Sequence, residues 1–304
     1  MALERSTMTM KPTVSFVIPT MNSARTIEKC LSSIRSQRYP HIEIIVVDGG
    51  STDQTRYIAE TAADKVLLVK GPLGLARHAG ARIAKGEILG IFDSDVYLPH
   101  ANWLERAVST LLSKPAVAIL WPINVPPENA SRVAKAYFTL WKYRLITTRN
   151  PVPGGNILVL RKAYDEVGGI NPRLHFGEDY DLVIKILRKG YKYIIYPDPI
   201  IHDTMRNLRE YTRKQFWGAR SLKVAPANII KTTISWNPAK NDLWKSAASH
   251  IASFIKAIPL GIKEYRDPAL VLYLPLLLKI RLLIYGPTYV FKLKSLHKQG
   301  AQSG

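Results

Sequence analysis

The chain has a single cysteine, Cys30, so no internal disulfide can form, which suits a reducing compartment. Met1 to Lys11 lacks the apolar core of a secretory leader, so the body of the protein is expected to face the cytoplasm. Acids are scarce: 23 Asp and Glu stand against 43 Lys and Arg, a net charge of +20 at pH 7. The shortage is greatest from Met205 to Gly304, where 4 acids meet 17 Lys or Arg, placing 13 of the 20 excess positive charges in the last third. A basic excess of this kind attracts phosphate on a nucleotide, a nucleic acid or an anionic lipid, and charge by itself does not choose among them. Long hydrophobic runs are also missing. Pro268 to Leu278 is eleven residues without a charge, but Lys279 and Arg281 interrupt it before Leu282 to Phe291. A charge at mid-membrane costs roughly 2.5 to 3.5 kcal/mol, so one straight span is disfavoured.

What is present is organised around Ile88-Leu89-Gly90-Ile91-Phe92-Asp93-Ser94-Asp95, an apolar run that ends in two carboxylates one residue apart. Such a run reads as a buried parallel strand, and open α/β sheets bind ligands at the carboxyl ends of their strands. Two carboxylates there suit a hard divalent cation, which takes oxygen ligands and bridges them to substrate phosphates. Upstream, Val14 to Ile18 is an apolar strand stopped by Pro19. Ser23 is placed to cap a helix through about Arg35, with Ile27, Leu31 and Ile34 on its buried face. Further strands are expected at Ile42 to Val47 and Val66 to Val69, with a helix from about Leu73 to Lys85. The series predicts an α/β fold with a mostly parallel, doubly wound sheet. At 304 residues there is room for one large domain with an appendage.

The second strand runs into Asp48-Gly49-Gly50-Ser51-Thr52-Asp53. Asp48 or Asp53 can accept hydrogen bonds from a base or ribose, and Arg77 on the next helix can meet phosphate. The other reading of this turn is a helix N-cap at Ser51 or Thr52.

These segments carry a resemblance. Val14 to Asn22, then Val46 to Asp53, then Gly74-Leu75-Ala76-Arg77 through Ala84-Lys85-Gly86-Glu87, then Asp93-Ser94-Asp95, resemble in order the motifs of family 2 glycosyltransferases with the GT-A fold. The resemblance implies a Rossmann-like GT-A domain over residues 12–225, with a nucleotide-sugar half at 12–100 and an acceptor half at 101–225. It implies an inverting enzyme using a nucleoside-diphosphate sugar and Mn²⁺ or Mg²⁺. Donor contacts then fall to Pro19, Thr20, Asn22, Asp48, Asp53, Arg77 and Asp93, and metal ligation to Asp93 and Asp95.

The likeness continues downstream. Gly154, Gly155 and Asn156, ahead of a strand at Ile157 to Leu160, match the acceptor side, and Gly177-Glu178-Asp179-Tyr180-Asp181-Leu182 matches the motif that carries the base. Asp179 is the candidate base, with Glu178 beside it. Inverting displacement needs an acceptor hydroxyl deprotonated opposite the leaving diphosphate, which a carboxylate can do. The same acids would also complement the dipole of a helix starting there and running to Lys189. A strand at Tyr193 to Tyr196 leads to His202, which the family pattern makes a third metal ligand and which could equally be structural. On a helix at Leu208 to Val224, Arg213, Phe216, Trp217 and Arg220 fall three or four apart. Arg213 and Arg220 are candidates for the donor diphosphate or for a solvated basic face. The literal Gln-x-x-Arg-Trp motif of processive members is absent.

After about Pro226 the alternation of strands and helices stops. Trp244, Ala247, Ala248, Ile251, Phe254, Ile255, Ile258 and Ile262 repeat at helical spacing opposite Lys245, Ser249, Ser253, Lys256 and Lys263. Residues 226–298 therefore read as a helical membrane-associating appendage, lying in the interface or as short broken helices, with packing on the catalytic domain as the alternative. The aromatic helix Ala130 to Ile146 either covers the acceptor cleft or packs in the core. Residues 1–11 and 299–304 read as a flexible N-terminus and a tail.

The expectation is a transferase at the cell membrane, catalytic domain toward the cytoplasm. It moves a sugar, first mannose from GDP-mannose, onto a dolichyl or polyprenyl phosphate or a glycan built on one. Nucleic acid is not an expected partner. A UDP-sugar-dependent transferase of the same fold, a metal-dependent nucleotidyltransferase and, more remotely, a non-catalytic basic binding module are the competing readings.

Overall fold

A computed structural model describes residues 11–147, 155–224, 255–281 and 283–284. In chain order, β1 (Val14–Thr20), α1 (Ile27–Arg35), β2 (Ile42–Asp48), α2 (Thr55–Ala62), β3 (Lys65–Leu68), α3 (Leu73–Ile83) and β4 (Ile88–Ile91) alternate as the hydrophobic pattern requires. They are followed by β5 (Val96–Tyr97), α4 (Trp103–Leu112), β6 (Val117–Val125), α5 (Arg132–Thr147) and β7 (Ile157–Leu160). Then come α6 (Arg161–Glu166), α7 (Glu178–Arg188), β8 (Lys192–His202) and α8 (Leu208–Val224).

β1 and β4 are buried along their whole length because helices cover both faces of the sheet. Val14, Phe16 and Ile18 face α1 and α4, while Val17 faces the layer containing α3, α6 and α7. The sheet order is β3-β2-β1-β4-β7-β6-β8-β5. From β3 to β4 every pairing is parallel, which brings four carboxyl ends to one edge.

Beyond β4 the sheet is mixed. β7 runs antiparallel to both β4 and β6, and β5 runs antiparallel to β8. A continuous apolar run such as Ile157–Leu160 reads the same in either direction, so sequence carries no sign of the reversal. The consequence is functional: Ile91 pairs with Ile157, so the start of β7 meets the end of β4 at the ligand-binding edge.

Two strands run further than their prolines suggest. Pro19 stays within β1, opposite Val47. Thr20 accepts from Gly49 on the β2 side and Val17 from Phe92 on the β4 side, so alternation turns the Pro19 nitrogen toward β4, which has already ended. β8 likewise continues through Pro197 and Pro199, and a register shift against β6 between Pro122 and Asn124 absorbs them. His202 is therefore the last residue of a strand, paired with Val96, one residue past Asp95. Ser23 does not cap α1; its carbonyl accepts from Thr26 and Ile27 in a turn that precedes the helix.

A third cluster joins α5 and α8 to helices α9 (255–265) and α10 (270–281), through Val133, Ala136, Met205, Tyr211, Leu270, Leu274 and Leu277. Ion pairs Arg132–Asp267 at 2.8 Å and Lys142–Glu264 at 2.9 Å, and a Tyr211 hydroxyl donating to Leu277 O at 3.1 Å, fasten the layer. The described part of the C-terminal stretch thus packs on the catalytic domain. Ile255, Val271, Leu272, Leu276 and Leu283 nonetheless stay exposed. Among the described residues no helix is long and apolar enough to cross a membrane. The amphipathic pattern from Trp244 to Phe254, the broken helices beyond residue 284, the termini at 1–10 and 299–304, and Gly154 lie outside the described residues.

Candidate active site

The site is built where β4 stops. Asp93 follows the strand, and its N–H donates to Asn156 Oδ1 at 2.8 Å. Asn156 Nδ2 in turn donates to Asn124 Oδ1 at the end of β6, at 3.1 Å. Gly155 and Asn156 both adopt left-handed backbone, φ 51° and 50°, which glycine and asparagine tolerate best. A Cβ at Gly155 would lie 3.5 Å from Asp179 Oδ2 and 3.7 Å from Asp93 Oδ2, so one bare backbone position separates the candidate base from the candidate metal ligand.

Arg77 ties these parts together. Its guanidinium is 2% exposed, donates from Nη2 to Asp93 Oδ1 at 2.5 Å and from Nη1 to Glu178 Oε1 at 2.6 Å, and lies 4.0 Å from Asp179 Oδ2. Gly74 explains its position: a Cβ there would come within 2.3 Å of Asn171 O and 2.8 Å of Leu174 O, so only glycine lets α3 close onto the loop ahead of α7. One turn later, on the same face, Arg77 reaches the start of α7. Both Nη atoms of Arg77, expected to meet phosphate, are engaged by carboxylates. Burial would lower the Arg77 pKa, but Glu178, Asp93 and Asp179 more than offset that and raise it. Burial pushes Glu178 up, Asp179 adds to the shift, and Arg77 opposes it.

On the other side of Asp93, ligand atoms from Asp93, Asp95 and His202 all lie within 4.8 Å of one another. His202 Nε2 is 3.1 Å from Asp95 Oδ1, yet the two are not aligned for a hydrogen bond and Nε2 is buried without a partner. Two ligand atoms this close together suit a shared third atom. Two carboxylates and an imidazole fit Mn²⁺, or Mg²⁺ with less use for the imidazole. Phe138 of α5 packs edge-on against the His202 ring at 5.7 Å and fixes its plane. Burial would raise the Asp95 carboxyl, but His202 and then Lys214 outweigh it and hold it down at about 2.

Lys214 is the residue that sequence reasoning missed. α8 buries Tyr211, Gln215, Gly218 and Ala219 and leaves Arg213 and Arg220 exposed. Lys214 is half-buried, donates to Thr204 Oγ1 at 2.8 Å, and sits in the field of Tyr137, Asp95 and Asp93, which offset its desolvation and raise its pKa. Helical phase supplies the signal: residues 211, 214, 215 and 218 share one face.

The remaining donor-side residues hold loops together. Asp48 is buried and accepts from Gly50 N, Ser51 N and Ser51 Oγ. Asn22, at φ 52°, accepts from Thr52 N and takes Ser51 Oγ on its own N–H. Asp53 accepts from Ala24 N, Thr55 N and the Thr55 hydroxyl, so it rather than Ser51 or Thr52 serves the start of α2. Thr20 Oγ1 is buried without a partner beside Pro19 at the end of β1. These residues line the ends of β1 and β2, one and two strands over from Asp93.

Comparison with known proteins gives this geometry a family. The Glycosyl transferase family 2 model matches residues 15–168. Glycosyltransferase AglE of Haloferax volcanii is 32% identical over 217 residues, covering 67% of this chain and 71% of that protein. A pre-mycofactocin glycosyltransferase of Mycobacterium tuberculosis is 27% identical over 237 residues, 72% of this chain; the chain spans about half, 49%, of its length. In fold the chain is similar to the solved mannosyltransferase PcManGT from Pyrobaculum calidifontis, in complex with GDP-Man and Mn²⁺. The TM-score is 0.55 at 23% identity, covering 97% of this chain and 81% of that one. The nucleotidyltransferase and the non-catalytic module are set aside, and the chain belongs to glycosyltransferase family 2, an enzyme on a GT-A fold.

Proposed function

We propose that the enzyme transfers a sugar with inversion, mannose from GDP-mannose first, onto the hydroxyl of a lipid-linked glycan at the cytoplasmic face of the cell membrane. The observation that carries the reading is the pairing across Gly155: a ligand set of Asp93, Asp95 and His202 on one side and the Asp179 carboxylate on the other. Bound there, Mn²⁺ or Mg²⁺ would supply Lewis-acid stabilisation to the departing diphosphate. Asp179 takes the proton from the acceptor hydroxyl as its oxygen bonds to the anomeric carbon and the bond to the diphosphate breaks. A lipid phosphate is already an anion and has no use for that base, so Asp179 favours a hydroxyl acceptor. Lys214, rather than the exposed Arg213 and Arg220, meets the diphosphate charge.

A guanosine donor and mannose are supported by the fold shared with a structure that holds GDP-Man and Mn²⁺. Membrane contact is supported by the basic last third and by the apolar residues left exposed on α9 and α10. The test is a panel of nucleotide sugars incubated with Mn²⁺ and membrane lipid extract, with products identified by mass. GDP release from GDP-mannose and a mannosylated lipid glycan are expected, and Asp95→Ala should abolish both. Turnover of uridine donors alone would overturn the mannose assignment, and full activity of Asp95→Ala would overturn the metal site.

A further inference from the structure

A cavity of about 530 Å³ opens between the starts of α5 and α8 and the first turn of α10, away from the carboxylate cluster. Its lining includes Ser131, Arg132, Arg206, Asn207, Arg209 and Tyr273 and contains no acid. Two of the three guanidiniums are neutralised from outside the lining, Arg132 by Asp267 at 2.8 Å and Arg206 by Glu210 at 3.6 Å. Arg209 has no carboxylate partner among the described residues. The cavity therefore carries an unbalanced positive charge, and two helix N-termini add to it. Ser131 Oγ accepts from Ala134 N at 3.2 Å and Asn207 Oδ1 from Glu210 N at 3.0 Å, which fixes those two ends. Guanidinium forks, a hydroxyl and an amide around one space match the oxygens of a phosphoryl group.

The same opening has an apolar border. Val133 and Leu208 line it, and on α10 Leu276, one turn past Tyr273 on the same face, is 38% exposed. A free phosphate has no use for that border, whereas a phosphate on a hydrocarbon chain would use both. We infer that this cavity is a second phosphoryl site, which takes the phosphate of a lipid carrier while the sugar at the far end of the acceptor reaches the transferase centre. This rests on the lipid-linked reading of the acceptor and deepens it. Arg209 lies five residues before Lys214, roughly 7 to 8 Å along the helix axis. Arg209 also lies about 140° round the helix from Lys214, so a phosphate held by Arg209 is separate from the donor diphosphate.

The test is co-sedimentation of the full chain with phosphatidylcholine vesicles, alone or carrying a minor fraction of undecaprenyl phosphate, with inorganic phosphate as a soluble competitor. Binding should need the polyprenyl phosphate. Each basic side chain near an anionic lipid surface is worth about fivefold, so Arg206→Gln with Arg209→Gln should weaken binding by roughly thirtyfold. Thermal melting of the double variant shows whether it folds. Removing the same charge from the exposed end of α7, by Arg188→Gln with Lys189→Gln, should change vesicle binding by less than about twofold. Equal loss in both double variants, or no loss in the first, would overturn the site. Inorganic phosphate binding as tightly as the vesicles would overturn its assignment to a lipid. Donor turnover by the wild-type protein reports separately on the transferase reading.

Discussion

Arg77→Met keeps most of the side-chain volume and removes the charge. Glu178, 3% exposed at its side chain, then loses its hydrogen-bonded cation, while Asp93, 32% exposed, recovers part of its loss from water. Breaking a buried pair from one side costs about 3 to 5 kcal/mol. For a domain of this size each kcal/mol moves the melting temperature by roughly 2 to 4 °C, so a fall of roughly 6 to 20 °C is expected by calorimetry at neutral pH. The pH dependence sharpens the test. Burial raises the folded pKa of Glu178, so its ionisation erodes stability as pH rises through that value, and the stability is fully present below the ordinary carboxylate range. Arg77 opposes that rise, so in its absence the erosion grows and the gap between wild type and variant should be wider at pH 7 than at pH 5. Adding Glu178→Gln to Arg77→Met should recover part of the loss, because the uncompensated charge is gone. An Arg77→Met protein that melts with the wild type at both pH values would refute the view that this pair joins the two halves of the site.

Asp179→Asn should lower transfer to a hydroxyl acceptor by about 10² to 10⁴ fold while calorimetric donor affinity stays unchanged. Lys214→Met should weaken nucleotide-sugar binding by roughly ten- to a hundredfold, the worth of one charge-assisted hydrogen bond, with no comparable effect from Arg213→Met. Mn²⁺ at a hundred times its dissociation constant should stabilise the protein by about 2.7 kcal/mol, seen as a rise in melting temperature that Asp95→Asn removes.

How far the sequence led can be judged residue by residue. Asp93 and Asp95 were legible because β4 is buried on both faces, and such a strand must be uninterruptedly apolar until it reaches the edge where chemistry occurs. His202 was legible only by family resemblance, since two prolines hid the strand that delivers it. The direction of β7 was not legible at all, because strand polarity leaves no mark on a four-residue apolar run. Lys214 was legible only through helical phase, because the buried Tyr211 and Gln215 share its face while Arg213 and Arg220 lie on the exposed one. The role of Arg77 was beyond sequence: nothing in a local pattern tells which arginine of a basic chain will be buried, and its partners lie 16 and 101 residues away.

The division of labour on Asp93 shows why that burial matters to the chemistry. Oδ1 accepts from Arg77, and Oδ2 faces Gly155 with Asn156 Nδ2 at 3.5 Å. With Oδ1 engaged by Arg77, Oδ2 is the Asp93 oxygen left for a cation. The four carboxylates of Asp93, Asp95, Glu178 and Asp179 share this edge with the cations Arg77 and Lys214. The negative excess suits a divalent ion on the open side, and Arg77 on the closed side keeps that excess from driving the acids apart. The guanidinium can do this only while buried, where water does not screen it, so an arginine on the protein surface would not serve in its place.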